Sequence, residues 1–132
     1  MAWALGFDAS YAQLSRAWFE RRKAEGHSVF MQCLWAATTR PQPVHVETNI
    51  DNALAAGFAV LGYIALGVVA TGADAVQRGL ARARGPGDLA MVEIDVEVAL
   101  TDWRSEIGQA LNAVTAAGYR RSIYTSYSMW RQ

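Results

Sequence analysis

A chain of 132 residues with 12 Lys and Arg against 12 Asp and Glu carries no net charge. That removes the electrostatic footprint of a nucleic-acid binder, whose affinity comes largely from phosphate neutralisation. At 52% apolar and 18% charged residues the chain can build a core, and its length fits one domain over 1–132 while being short for a closed α/β barrel.

In chain order the pattern is strand, then helix, repeated. Trp3 to Asp8 is an apolar run ending at an acid, followed by a helical stretch over Tyr11 to Glu25 with Leu14, Ala17 and Trp18 on one face and Gly26 as the stop. Ser28 to Leu34 reads as the second strand, and Trp35 to Val46, with Pro41 and Pro43, as the longest loop. Thr48 with Asp51 three residues on suggests an N-cap for a helix running to Ala56, closed by Gly57. Phe58 to Leu66 is the third strand. Thr71 to Arg84 is the third helix, with Val76, Leu80 and Ala83 inward, and Gly85-Pro86-Gly87 is a turn. Leu89 to Val98 is the fourth strand. Thr101 or Asp102 caps a helix carrying Trp103, Ile107, Leu111 and Val114, which Gly118 ends; Tyr119 to Thr125 is the fifth strand, and Ser128 is a candidate start for another helix.

About five β/α units imply an α/β fold with a parallel sheet, either open and doubly wound or most of a barrel. In both, a ligand site belongs at the carboxyl ends of the strands. The start of the chain has no basic region, and the apolar stretch from Ala53 to Ala70 is broken by Gly57, Gly62 and Gly67, so neither an export signal nor a membrane span is expected.

The segment Leu89 to Val98 holds the chemistry. Side chains alternate along a strand, so Ala90, Val92, Ile94, Val96 and Val98 form an aliphatic face for helices to cover. The opposite face carries Leu89, Met91, Glu93, Asp95 and Glu97, with neighbours about 6.6 Å apart. Three carboxylates in a row are costly unless solvent, protons, cations or a substrate offset them, and crowding raises at least one carboxyl pKa towards neutrality, with Asp95 and Glu97 as the candidates. The competing possibility is a water-facing edge strand. Asp8, at the carboxyl end of the first strand, can join Asp95 and Glu97 if both strands belong to one sheet; capping the turn after it is an equally simple role.

Other chemistries find little support. His27 follows a helix end and His45 sits in the Pro-rich loop with no second ligand at metal spacing, so no metal site is expected. The single cysteine, Cys33, excludes an internal disulfide and reads as buried packing. Neither a P-loop nor a G-x-G-x-x-G fingerprint occurs. Trp18 and Trp103 fall on helical periodicity and read as core; Trp35 and Trp130 could stack on sugar rings or pack. Arg16, Arg21, Arg22 and Lys23 make a basic helix face.

Gly6-Phe7-Asp8-Ala9-Ser10, the stretch from Asn49 to Tyr63, Ile94-Asp95-Val96-Glu97, and Ile123-Tyr124-Thr125-Ser126 with Trp130, taken in that order, resemble glycoside hydrolase family 25, the muramidases (lysozymes). The resemblance covers nearly the whole chain. It implies an irregular, incomplete TIM-barrel-type β/α fold and hydrolysis of the β-1,4 bond between N-acetylmuramic acid and N-acetylglucosamine in peptidoglycan, without a cofactor. It also implies Glu97 as the general acid, Asp95 as the group that stabilises charge at the reacting carbon or orients the N-acetyl group, and Asp8 as the completion of the acidic cluster. Tyr63, Tyr124, Trp35 and Glu93 would line the glycan cleft.

Two departures from the family pattern leave alternatives open. Gln32 stands where members carry a lysine, and the further strands that close the family's barrel do not follow by Gln132. A non-catalytic glycan-binding relative, or a fragment that needs a partner chain, would also fit, and exposed strand edges would favour a homo-oligomer. The expected setting is synthesis in the cytoplasm with action on the cell wall, or secretion.

Overall fold

In the computed structural model, which describes residues 4–126, every strand but the last is followed by a helix that returns the chain to the start of the next. The order is β1 (Leu5–Asp8), α1 (Arg16–Ala24), β2 (His27–Ala36), α2 (Val46–Ala55), β3 (Ala59–Ala65), α3 (Gly72–Leu80), β4 (Met91–Val96), α4 (Trp103–Ala116) and β5 (Arg121–Thr125). All four strand pairs are parallel, and the spatial order β1-β2-β3-β4-β5 follows the sequence. A doubly wound sheet reverses its order at a switch point. This one never does, so the sheet curls into an incomplete parallel β/α barrel. Among the described residues, no helix is long and apolar enough to cross a membrane.

The core lies between the convex face of the sheet and the helices. Phe30, Val60, Ile64, Val92, Ile94 and Val96 present one side of the strands, and Phe19, Ile50, Ala53, Val76, Ala110 and Val114 cover it from the helices. Phe7, Phe19, Phe30 and Phe58 gather at one end with ring centroids 4.9–6.1 Å apart, each close pair worth about 1 kcal/mol beyond the area it buries. Three helices end as the sequence suggests: Gly26, Gly57 and Gly118 take φ of +94°, +77° and +84° just past the last turns. Ser15, Thr71 and Asp102 cap α1, α3 and α4 through their side chains.

Some local expectations fail for tertiary reasons. The first helix starts at Arg16, not near Tyr11, because two asparagines of α2 occupy the backbone before it. Asn49 accepts from the Leu14 N–H at 2.9 Å and donates to the Ala12 carbonyl at 2.9 Å, and Asn52 donates to the Leu14 carbonyl at 2.8 Å. Helix α2 starts at Val46 with no side-chain cap, two residues ahead of Thr48; burial of Val46, Asn49, Ile50 and Ala53 holds it instead. Helix α3 ends at Leu80, short of Arg84. Strand β4 begins at Met91, so Leu89 is buried against Gly62 and Ala90 is exposed, the reverse of strict alternation. Trp103 is 39% exposed at the start of α4, and Ala17 is also exposed, Phe19 taking the core position. Trp3, Ser128 and Trp130 lie outside the described residues.

Candidate active site

The concave face of the sheet is lined by what the helices leave uncovered. Register places Met31 and Cys33 of β2, Tyr63 and Ala65 of β3, and Glu93 and Asp95 of β4 on this side. Towards the carboxyl ends they line a cavity of about 860 Å³, within the range of small-ligand sites. Asp8, Glu97, Tyr124 and Ser126 also line it, as do Tyr11 and the loop residues Thr38, Thr39 and Arg40. Six of the seven sequence candidates therefore meet in one cavity: Asp8, Tyr63, Glu93, Asp95, Glu97 and Tyr124.

Trp35 is the exception. Alternation from Met31 and Cys33 would aim it into the cavity. A β-bulge between Cys33 and Trp35 interrupts the register, pairing Cys33 with Tyr63 but Trp35 with Ile64. Both Leu34 and Trp35 thereby turn to the helix side, where the Arg78 guanidinium of α3 lies 5.4 Å from the Trp35 ring centroid. The expectation that Trp35 lines the cleft is corrected. Gln32 is also on the helix side, fully buried, accepting from Asn49 at 3.2 Å and donating to the Cys33 carbonyl at 2.8 Å.

Asp8 combines both of the roles open to it. Its Oδ1 accepts from the Ser10 N–H at 3.0 Å and the Ser10 hydroxyl at 2.6 Å, closing the turn after β1. Its Oδ2 accepts from the Tyr63 hydroxyl at 2.9 Å, from two strands away. The Ser10 hydroxyl in turn accepts from the Cys33 N–H at 2.6 Å, so β1, β2 and β3 are tied together beneath the cavity. Burial, the neighbouring Cys33 and the Asp8 carboxylate hold the Tyr63 phenol above its ordinary range, where it stays a donor.

Asp95 is the electrostatically strained group. Burial, followed by the charges of Glu97 and Glu93, pushes its pKa from 3.8 up to about 7; Arg40 opposes this and Asp8 adds to it. Its Oδ1 is shielded from solvent and has no hydrogen-bond partner among the described residues. Glu93 is steadied by the Ser122 hydroxyl, which donates to it at 3.1 Å from β5. Glu97 lies one residue past the end of β4 and is exposed. Burial pushes the Cys33 thiol up to about 11, which makes it a poor nucleophile near neutrality and agrees with a packing role. Among the described residues no group of His, Cys, Asp and Glu side chains has the arrangement of a metal site.

Sequence reasoning missed Tyr11 and Arg40. Both sit on loops, where no periodicity reports direction; Arg40 as a lone base in the longest loop was the one available signal. Among the described residues that line the cavity it is the only basic one.

No protein-family model matches this chain, and no curated protein matches it in sequence. Solved structures do match in fold. A muramidase from Trichobolus zukalii superposes with a TM-score of 0.78 at 21% identity, over 96% of this chain and 67% of that one. A family 25 glycosyl hydrolase from Bacillus anthracis gives 0.76 at 14% identity, over 96% and 62%. The modular autolysin LytC from Streptococcus pneumoniae, in complex with a synthetic peptidoglycan ligand, gives 0.59 at 14% identity, over 96% and 33%. This chain has the fold of these glycosyl hydrolases and spans about two thirds or less of their length.

Proposed function

We propose that this chain is a relative of the family 25 muramidases and hydrolyses the β-1,4 linkage between N-acetylmuramic acid and N-acetylglucosamine in peptidoglycan. The observation that carries the proposal is the convergence of Asp8, Glu93, Asp95 and Glu97, from two strands and the segment after one of them, on a single cavity at the carboxyl ends of the sheet. The shared fold with muramidases and with a peptidoglycan-bound autolysin supports the same substrate class. An uncharged chain built around an acidic cavity suits a neutral sugar ring whose reaction develops positive charge at the anomeric carbon.

In this reading each acid has a distinct role. Glu97, exposed at the mouth, faces the incoming glycan and delivers a proton to the leaving oxygen. Asp95 lies deeper, where burial and then the charges of Glu97 and Glu93 raise its pKa to about 7, so this carboxyl is partly protonated near neutrality. Asp95, which lines the same cavity, takes the role of stabilising charge at the reacting carbon or orienting the N-acetyl group. Asp8, fixed by Ser10 and Tyr63, adds negative potential without moving. Tyr63 and Tyr124 supply aromatic walls for the sugar. Turbidity loss of a cell-wall suspension tests the proposal: the wild type clears it, and Glu97→Gln, a substitution at an exposed residue, slows clearing by about 10²-fold or more. Equal rates for the two proteins would refute the assignment of Glu97.

A further inference from the structure

Strand β5 is one edge of the sheet among the described residues, and its register against β4 runs from Arg121 to Thr125 without a bulge. The Val92 N–H donates to the Arg120 carbonyl at 2.8 Å, so the backbone of residue 120 faces β4. Backbone groups alternate sides along a strand, which turns the N–H and C=O of Arg121, Ile123 and Thr125 towards the open side. Proteins commonly blunt such an edge with a proline, a bulge or charges. Strand β5 has neither proline nor bulge, and its single charge, Arg121, stands at its first residue. The opposite edge, β1, is shorter by one residue and carries a register shift between Leu5 and Gly6.

Beside this edge both faces carry a large exposed side chain. Ile123, paired with Ile94, faces the helices yet is 39% exposed, and Tyr124, paired with Asp95, lines the cavity and is 50% exposed. Glu106 and Ala110 of α4 meet Gly72 of α3. The residues one step on, Ile107 and Leu111, therefore lie on the flank of α4 turned away from α3, and both are only partly buried. Ile107, Leu111 and Ile123 make an apolar strip that the described helices cover only in part.

We propose that this edge is an interface with a second copy of the chain, β5 running antiparallel to β5 about a twofold axis at Ile123. In that register the outward-facing residues meet one another: Ile123 lies opposite the partner's Ile123, and Arg121 opposite the partner's Thr125. Each facing pair exchanges two backbone hydrogen bonds. No like charges meet, whereas a slip of the axis to Arg121 would set that side chain against the partner's Arg121. A chain with no net charge also has no long-range repulsion from its own copy. On the concave face Ser122 lies opposite the partner's Tyr124. Ser122 donates to Glu93 at 3.1 Å, so the second copy adds an aromatic side chain to the cavity wall beside that acid. The pairing does not depend on what the cavity binds.

Sedimentation equilibrium of the full chain at micromolar concentrations tests this. The wild type should give a mass about twice 14.4 kDa. Ile123→Lys, which sets like charges face to face on the axis, should give the monomer with an unchanged far-ultraviolet circular dichroism spectrum. Leu5→Lys, an exposed position on the β1 edge, should leave the dimer intact. Mild oxidation reads the register and does not need Ile123→Lys to fold. Ile123→Cys should form a crosslinked dimer, because the two positions face each other within the span of a disulfide, and Arg121→Cys should not. The buried Cys33 contributes no crosslink of its own. A monomeric wild type, a dimer that survives Ile123→Lys or is lost in Leu5→Lys, or equal crosslinking of the two cysteine variants overturns the pairing.

Discussion

Replacing Asp95 with Asn separates what this carboxyl costs the fold from what it does for the chemistry. A carboxyl with pKa 3.8 in the unfolded chain and about 7 in the folded one is held protonated more tightly by the native state. Below about pH 4 both states carry the proton and Asp95 is neutral in its effect. As pH rises towards 7 the unfolded chain releases the proton while the folded one retains it, so stability falls, and above about pH 7 the full penalty applies. Undiminished, a rise of this size corresponds to about 4 kcal/mol. Solvent in the open cavity screens that to about 2 kcal/mol. Asp95→Asn should therefore stabilise the protein by about 2 kcal/mol at pH 8, or about 6 °C in Tm, and by close to nothing at pH 4. Urea titrations of both proteins at the two pH values measure this, and the same samples should show cell-wall clearing reduced in the variant. A variant equally stabilised at both pH values, or destabilised at pH 8, would refute the claim that Glu93, Glu97 and burial strain this carboxyl.

Further tests probe the scaffold around it. Tyr63→Phe removes the hydroxyl that reaches Asp8 at 2.9 Å, so clearing should fall about tenfold while Tm stays within a few degrees, since Ser10 still holds the other carboxylate oxygen. Gly72→Ala would put a β-carbon 2.1 Å from the Glu106 carbonyl oxygen, part of the α4 backbone, and should cost about 3 kcal/mol in urea unfolding. Gly108→Ala has nothing within 4 Å and should instead stabilise α4 by up to about 1 kcal/mol in the same assay. The Cys33 thiol, buried and with its pKa pushed up to about 11, should resist a disulfide reagent at pH 8 until the protein is unfolded, as thiol titration with and without urea will show.

The parts of the fold that local chemistry decides were legible in the residues. Alternation along Met91 to Val96 separated acids from aliphatics correctly, and the glycines after α1, α2 and α4 ended those helices where a positive φ was needed. The choice between an open sheet and a barrel could not be made from periodicity, because strand order is a tertiary property that no single β/α unit encodes; the family resemblance alone pointed to the incomplete barrel that the structure has. Trp35 was misdirected for a related reason: the bulge before it depends on how β2 fits β3, and one inserted residue reverses every later side chain. The unwound stretch before α1 depends on Asn49 and Asn52, more than thirty residues away. Within the candidate site, the strand carboxylates were visible because period-two spacing fixes their face, whereas Tyr11 and Arg40 come from loops with no period to read.

The most direct measurement is mass spectrometry of purified peptidoglycan incubated with the wild type and with Glu97→Gln. Cleavage as proposed predicts soluble fragments with new N-acetylmuramic acid reducing ends from the wild type and almost none from the variant. A folded wild type that releases no reducing ends, or a variant that releases them equally, would contradict it.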